Sequence, residues 1–267
     1  MNKFTVILGF LIVQLSFASG ISRTENATKT VTPARVEAQQ SISSINVSNT
    51  ITLNALATII TKGIDVDGSS ADPGYWMRAH TDFIHAAWRI SGALVTLASK
   101  MDEGPDRVIL EHLAARLADL EIKDEKGNVH FWERKAKKTA NVIKEVASQI
   151  KRISEHIKGQ VDITTFFQAT AQIATEKKDR GKGNVSYWRR ATRDRADLGK
   201  ATAKGITVML DSIPADFRYL FETYTIQLAN MSSKGDGNVS YWHERAEQLR
   251  RELNQVSQAL VDLSLSL

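Results

Sequence analysis

The chain has 267 residues, of which 42% are hydrophobic and 24% charged, and a formal net charge of +5. It contains no cysteine, which excludes disulfides, a thiol nucleophile and thiolate metal sites. The basic excess is mild, compatible with an anionic partner but far from diagnostic of one.

Residues 1–20 read as an export signal. Lys3 supplies the positive start, Phe4 to Phe17 form the apolar run, and Ser16-Phe17-Ala18 or Ala18-Ser19-Gly20 offers a small-residue cleavage site. The run falls short of the about 20 apolar residues that span a bilayer, and no later stretch reaches that length. The expectation is a secreted or periplasmic, soluble product of about 247 residues carrying a charge of about +4. Residues 21–49 are a polar leader rich in Ser, Thr and Asn, with a short capping helix expected between Pro33 and Asn49.

Beyond the leader, an aromatic residue followed by Trp recurs four times. The copies are Asp72-Pro73-Gly74-Tyr75-Trp76, Asn128-Val129-His130-Phe131-Trp132, Asn184-Val185-Ser186-Tyr187-Trp188 and Asn238-Val239-Ser240-Tyr241-Trp242, with tryptophans 56, 56 and 54 residues apart. A fixed period of this length marks a repeat architecture. Asp72, Asn128, Asn184 and Asn238 are N-cap types, whose side-chain oxygen satisfies a free N–H in the first helical turn. Thr50, Asp106, Asp162 and Asp216, each 26 residues before a Trp, are N-cap types as well. Each repeat is therefore expected to hold a short helix followed by a long one.

The long helices carry a heptad seam starting at Trp. In the fourth copy it reads Ala246, Leu249, Leu253, Val256, Leu260, Leu263 and Leu267; in the second Ala136, Thr139, Ile143, Val146, Ile150, Ile153 and Ile157. The first reads His80, Phe83, Ala87, Ile90, Leu94, Leu97 and Met101. The third, Thr192, Arg195, Gly199, Thr202, Ile206, Met209 and Ile213, is poorer, and its first half is expected to be loose or to face a polar partner. The short helices bury Leu110, Leu113 and Leu117 in the second repeat. Ile163, Phe166, Phe167 and Thr170 in the third match Phe217, Leu220, Phe221 and Tyr224 in the fourth. All four prolines (33, 73, 105 and 214) fall at expected boundaries. The fold expected is all-α: four tandem helical hairpins at 50–105, 106–161, 162–215 and 216–267, about eight helices, packed as a bundle or short array.

No catalytic constellation, phosphate loop or zinc-protease pattern occurs, and His80, His85, His112, His130, His156 and His243 share no repeat position. The acidic loops, with Asp65, Asp67, Asp124, Glu125, Asp179 and Asp236, do not fit the alternating oxygen ligands of a calcium loop. Asn26, Asn46, Asn184, Asn230 and Asn238 stand in glycosylation sequons. The motif tryptophans sit on an apolar seam, so they read as core landmarks rather than as a stacking surface. Trp88 lies outside the pattern.

A repeated scaffold without chemistry reads as a non-enzymatic binding protein with no cofactor and no metal. The first expectation is a protein–protein interaction module of the effector, scaffold or adhesin type, with another protein as partner. One alternative is a carrier of a lipid or other apolar ligand between amphipathic helices, motivated by Gly199 and Gly205 on or near the third seam. The other is a binder of anionic polymers through Lys123, Lys126, Lys177, Lys178, Arg180, Lys182 and Lys234, which flank the motif loops.

Overall fold

The computed structural model describes residues 45–64, 70–176 and 183–267. The expected export signal, most of the leader, Pro33 and the sequon at Asn26 lie outside the described residues, as do Asp65, Asp67 and Asp179. The described chain is all-α, with eight helices in order: α1 (Asn49–Gly63), α2 (Pro73–Ala98), α3 (Pro105–Ala118), α4 (Val129–Ser154), α5 (Ile163–Ala174), α6 (Val185–Met209), α7 (Ala215–Ala229) and α8 (Val239–Ser264). Two three-residue strands, β1 (Asn46–Ser48) and β2 (Gln160–Asp162), precede α1 and α5. The last residues of the leader thus form a strand, and residues 33–44 of the span in which a capping helix is expected lie outside the described residues. The strand is held by antiparallel pairing with β2 and by the Ile163 N–H donating to the Ile45 carbonyl at 2.8 Å.

The long helices start where the repeat places them. The side chains of Asp72, Asn128, Asn184 and Asn238 accept from the backbone N–H of Gly74, Phe131, Tyr187 and Tyr241. The short helices start differently. Only Asp162 caps as expected, accepting from Thr164 at 2.7 Å. Ser48 caps α1 in place of Thr50, and Gly104 and Pro214 precede α3 and α7. Pro105 fixes the start of α3 at its first position. Asp106 and Asp216 therefore fall inside the first turn, where a carboxylate favours the positive end of the helix dipole.

The repeat does not reveal which helices pair. The two helices within a repeat, α3 with α4, α5 with α6 and α7 with α8, touch only lightly. Extensive packing instead joins α2 to α3 and α4, α4 to α1, and, in the second half, α6 to α7 and α8, and α8 to α5. The two sets correspond helix for helix: α1–α4 repeats as α5–α8. Between the halves, α1 packs on α6 and α5 packs on α2, which is again reciprocal. The strands obey the same relation. Val47 faces Val161, Asn46 faces Asp162 and Ser48 faces Gln160. Thr50 Oγ1 donates to the α4 end at the Ile157 carbonyl, and its mate Thr164 Oγ1 donates to the α8 end at the Ser264 carbonyl. The fold is two four-helix halves related by a pseudo-dyad that passes between β1 and β2.

The motif ends of the four long helices come together in the order α4, α2, α6, α8. His80 Nδ1 of α2 lies 3.0 Å from Thr139 Oγ1 of α4, and Trp188 of α6 lies 4.3 Å from the His243 ring of α8. At the centre, the equivalent caps meet directly: Asn184 Nδ2 donates to Asp72 Oδ2 at 2.8 Å. Trp76, Trp132, Trp188 and Trp242 are only 2–4% exposed. Each has its preceding aromatic edge-on, with centroids 4.8–5.3 Å apart. Gly127, Gly183 and Gly237 have a packing role as well as a turning one. A Cβ at any of them would collide with the ring of Phe131, Tyr187 or Tyr241.

His80 is buried in this layer, beside Trp132. Burial, reinforced by the charge of Lys135, lowers its pKa below the ordinary 6.5. The unfolded chain therefore takes up the proton first, and the stability from neutral His80 is full above pH 6.5 and lost as the pH falls below it. His80→Gln should flatten this part of the stability profile; urea unfolding between about pH 5 and 7.5 measures it. An unchanged slope would mean that His80 is free to charge in the folded state.

Candidate ligand cleft

The third seam, expected to be loose, is packed. Helix α6 lies between α1, α7 and α8, so it is buried on several sides and its seam positions from Thr192 to Ile213 are all buried. Its glycines permit close approach. A Cβ at Gly199 would strike Met231 Sδ and crowd the Leu228 carbonyl, and one at Gly205 would strike Ile59 and crowd the Ala55 carbonyl.

Where α2 and α6 diverge from their joined motif ends, they leave a partly open cleft of about 1220 Å³ between α1, α2, α5, α6 and α8. Its apolar wall includes Ile59, Ile60, Phe83, Ile90, Leu198 and Val261. Its charged wall includes Arg78, Asp82, Arg89, Glu176, Arg190 and Arg195. The pseudo-dyad runs through the site. Arg78 lies over the Tyr187 ring at 4.9 Å, and its mate Arg190 lies over Tyr75 at 5.4 Å.

Two ion-pair clusters support the wall. In the first, the Arg190 side chain, 4% exposed, pairs with Asp82 of α2 and with Asp194 at 2.8 Å one turn on. Burial opposes the charge, but Asp194 and Asp82 outweigh it and raise the pKa above its ordinary value. The second cluster centres on Glu176. Its carboxylate accepts from Arg195 Nε at 2.8 Å and from Arg89 Nη2 at 3.2 Å. Its backbone carbonyl accepts from Arg250 Nη1 and Asn254 Nδ2. Arg250 also pairs with Glu247 at 3.0 Å. Burial pushes the Glu176 carboxyl up, but Arg89, Arg195 and Arg250 together hold it below the ordinary 4.5. Three guanidiniums thus share two carboxylates. Arg195 Nη1 has no hydrogen-bond acceptor, and the Glu247 Oε1 atom is 4.0 Å away and itself without a donor.

The pseudo-dyad shows that this cluster is peculiar to one half. The mate of Arg195 is Phe83, and the mate of Glu176, counted from the strand register, is Lys62. Arg195 was visible in the sequence as a charge on a seam where the other copies carry Phe83, Thr139 and Leu249. Its partner Glu176, the nearby Glu247 and the Arg89 that shares Glu176 come from three other parts of the chain, and no local spacing connects them.

The loop lysines among the described residues do not gather at the cleft. Lys123 and Lys126 are exposed before α4, and Lys123 pairs with Glu121 at 3.3 Å. Lys234 is exposed before α8. Since α4 and α8 are the outer members of the row, these lysines sit at its opposite ends. Lys177, Lys178, Arg180 and Lys182 lie outside the described residues. Trp88 is 40% exposed; its Nε1 donates to the Leu120 carbonyl at 2.9 Å, and its ring lies against His85 at the cleft edge. Among the described residues, no three metal-ligating His, Asp or Glu side chains gather, and no helix is long and apolar enough to cross a membrane.

Comparison of the chain with protein-family models, with curated proteins and with solved structures finds no match.

Proposed function

We propose that this protein is an extracytoplasmic binding protein that carries a largely apolar ligand in the cleft at its pseudo-dyad. The supporting observation is the cleft itself: about 1220 Å³ of concave space between five helices, whose exposed lining is mainly apolar surface, with charged groups at fixed places. The reading requires no catalytic step. The ligand loses apolar surface to Ile59, Ile60, Phe83, Ile90, Leu198 and Val261, at roughly 25 cal/mol per Å² removed from water.

Titration with an environment-sensitive apolar dye tests it. The protein should bind the dye saturably at one site. Ala171→Trp, which fills part of the cleft wall, should weaken binding at least about tenfold while leaving the unfolding transition in place. Equal binding by both proteins would overturn the cleft as the site.

A second reading, a protein–protein interaction module, is supported by the outer face of α7. Tyr219 and Ile226, seven residues apart on one face, are 61% and 60% exposed. If a protein partner docks there, Tyr219→Ser with Ile226→Ser should abolish its capture from the native extracytoplasmic fraction without changing dye binding.

A further inference from the structure

From the charge distribution of the cleft we infer that its ligand is an amphiphile with an alkyl body and a single oxyanion head, and that Arg89 and Arg195 receive the head. This inference rests on the carrier reading and deepens it.

Three observations converge. First, the wall is polar at one place and apolar at its dyad mate. Arg195, beside Arg89 and Glu176, occupies the position that Phe83 occupies in the other half, and both Arg195 and Phe83 line the cleft. A symmetric ligand would gain nothing from this difference, whereas an amphiphile is oriented by it. Second, the cluster behind this part of the wall has one positive charge in excess, because Arg89, Arg195 and Arg250 share only Glu176 and Glu247. The other cluster offers no such excess, since Arg190 already has both Asp82 and Asp194. An excess buried guanidinium is costly unless an anion completes it. Third, Arg195 is 6% exposed, and its buried Nη1 stands 4.0 Å from Glu247 Oε1 without a hydrogen bond, so the pairing of its charge within the cluster is incomplete. A guanidinium is the group best matched to a carboxylate or phosphate oxygen pair.

The apolar part of the same ligand extends over Ile90, Ile173 and Val261 toward Phe83 and Ile60, all of which line the cleft. Carboxylate and phosphate heads share the chemistry that Arg195 and Arg89 recognise, and a direct comparison of the two separates them.

Calorimetric titration of the full protein with dodecanoate, dodecyl phosphate and dodecanol tests the assignment, because the three share one tail. Dodecanoate or dodecyl phosphate should bind at least about tenfold more tightly than dodecanol. The tighter of the two anions identifies the head as carboxylate or phosphate. Arg195→Gln should lower the affinity for the anions far more than that for dodecanol and so remove the preference, and Arg195→Lys should retain part of it. Equal affinity of the wild-type protein for anions and alcohol would overturn the head assignment and leave the carrier reading standing. Failure of all three to bind would overturn both. The wild-type comparison decides even if the Arg195 variants fail to fold.

Discussion

Replacing Trp188 by Ala is expected to lower the unfolding free energy by about 3–5 kcal/mol. The indole is 2% exposed, edge-on to Tyr187 and 4.3 Å from the His243 ring. Thr192, one turn further along α6, also donates to the Trp188 carbonyl, so the backbone around the ring is fixed and has little freedom to collapse into the space left. The loss is local to the contact between α6 and α8, yet it should reach the cleft. The same turn of α6 carries Tyr187 and Arg190, which complete the reciprocal stacking with Arg78 and Tyr75. Trp88→Ala is the control. That ring is 40% exposed and forms one hydrogen bond to the Leu120 carbonyl, so its removal should cost about 1 kcal/mol. Urea unfolding of both variants measures the contrast. Equal losses would mean that the motif tryptophans are not core residues.

Much of the local structure was legible because it is written in single residues. An Asn or Asp four positions before each Trp satisfies a backbone donor regardless of what surrounds it, and all four long helices begin there. The seams of α2, α4 and α8 follow from periodicity for the same reason. Pairing was not legible. A 56-residue repeat says which segments are equivalent, but equivalent segments pack in different surroundings: α1 is wedged between α4 and α6, while α7 touches mainly α6 and leaves Phe217 and Tyr219 exposed. The third seam shows where residue type misleads. Thr192, Arg195, Gly199 and Thr202 look like a solvated or loose stripe, but they belong to a helix packed between α1, α7 and α8. The glycines admit neighbouring segments, and the arginine pairs with Glu176, just past α5, and lies near Glu247 of α8. The cleft itself arises only when α2 and α6 meet at Asp72 and Asn184 and then separate, which depends on contacts 112 residues apart in the chain.

Glu176→Gln should be the most damaging substitution in the cleft wall, at about 3–5 kcal/mol near neutral pH. Glutamine keeps the shape and an acceptor for Arg195 Nε but removes the charge. Arg89, Arg195 and Arg250 would then have only Glu247 among them, and two positive charges would be left without counterparts in a largely buried cluster. Arg195→Met works in the opposite sense. It leaves two guanidiniums for two carboxylates, places an apolar side chain where the dyad mate is Phe83, and should cost clearly less. Removing either member of an isolated ion pair would cost comparable amounts, so this asymmetry reports the excess charge of the cluster. The pH dependence gives a second check. The folded Glu176 pKa is held below 4.5, so the stability from its carboxylate is present above that pH and is lost as the pH falls through the depressed value. The gap between wild type and Glu176→Gln should therefore be widest near pH 7 and narrow toward pH 3. If the gap stays constant with pH, the variant is losing packing rather than charge. If Arg195→Met costs as much as Glu176→Gln, the cluster holds no spare positive charge to offer a ligand.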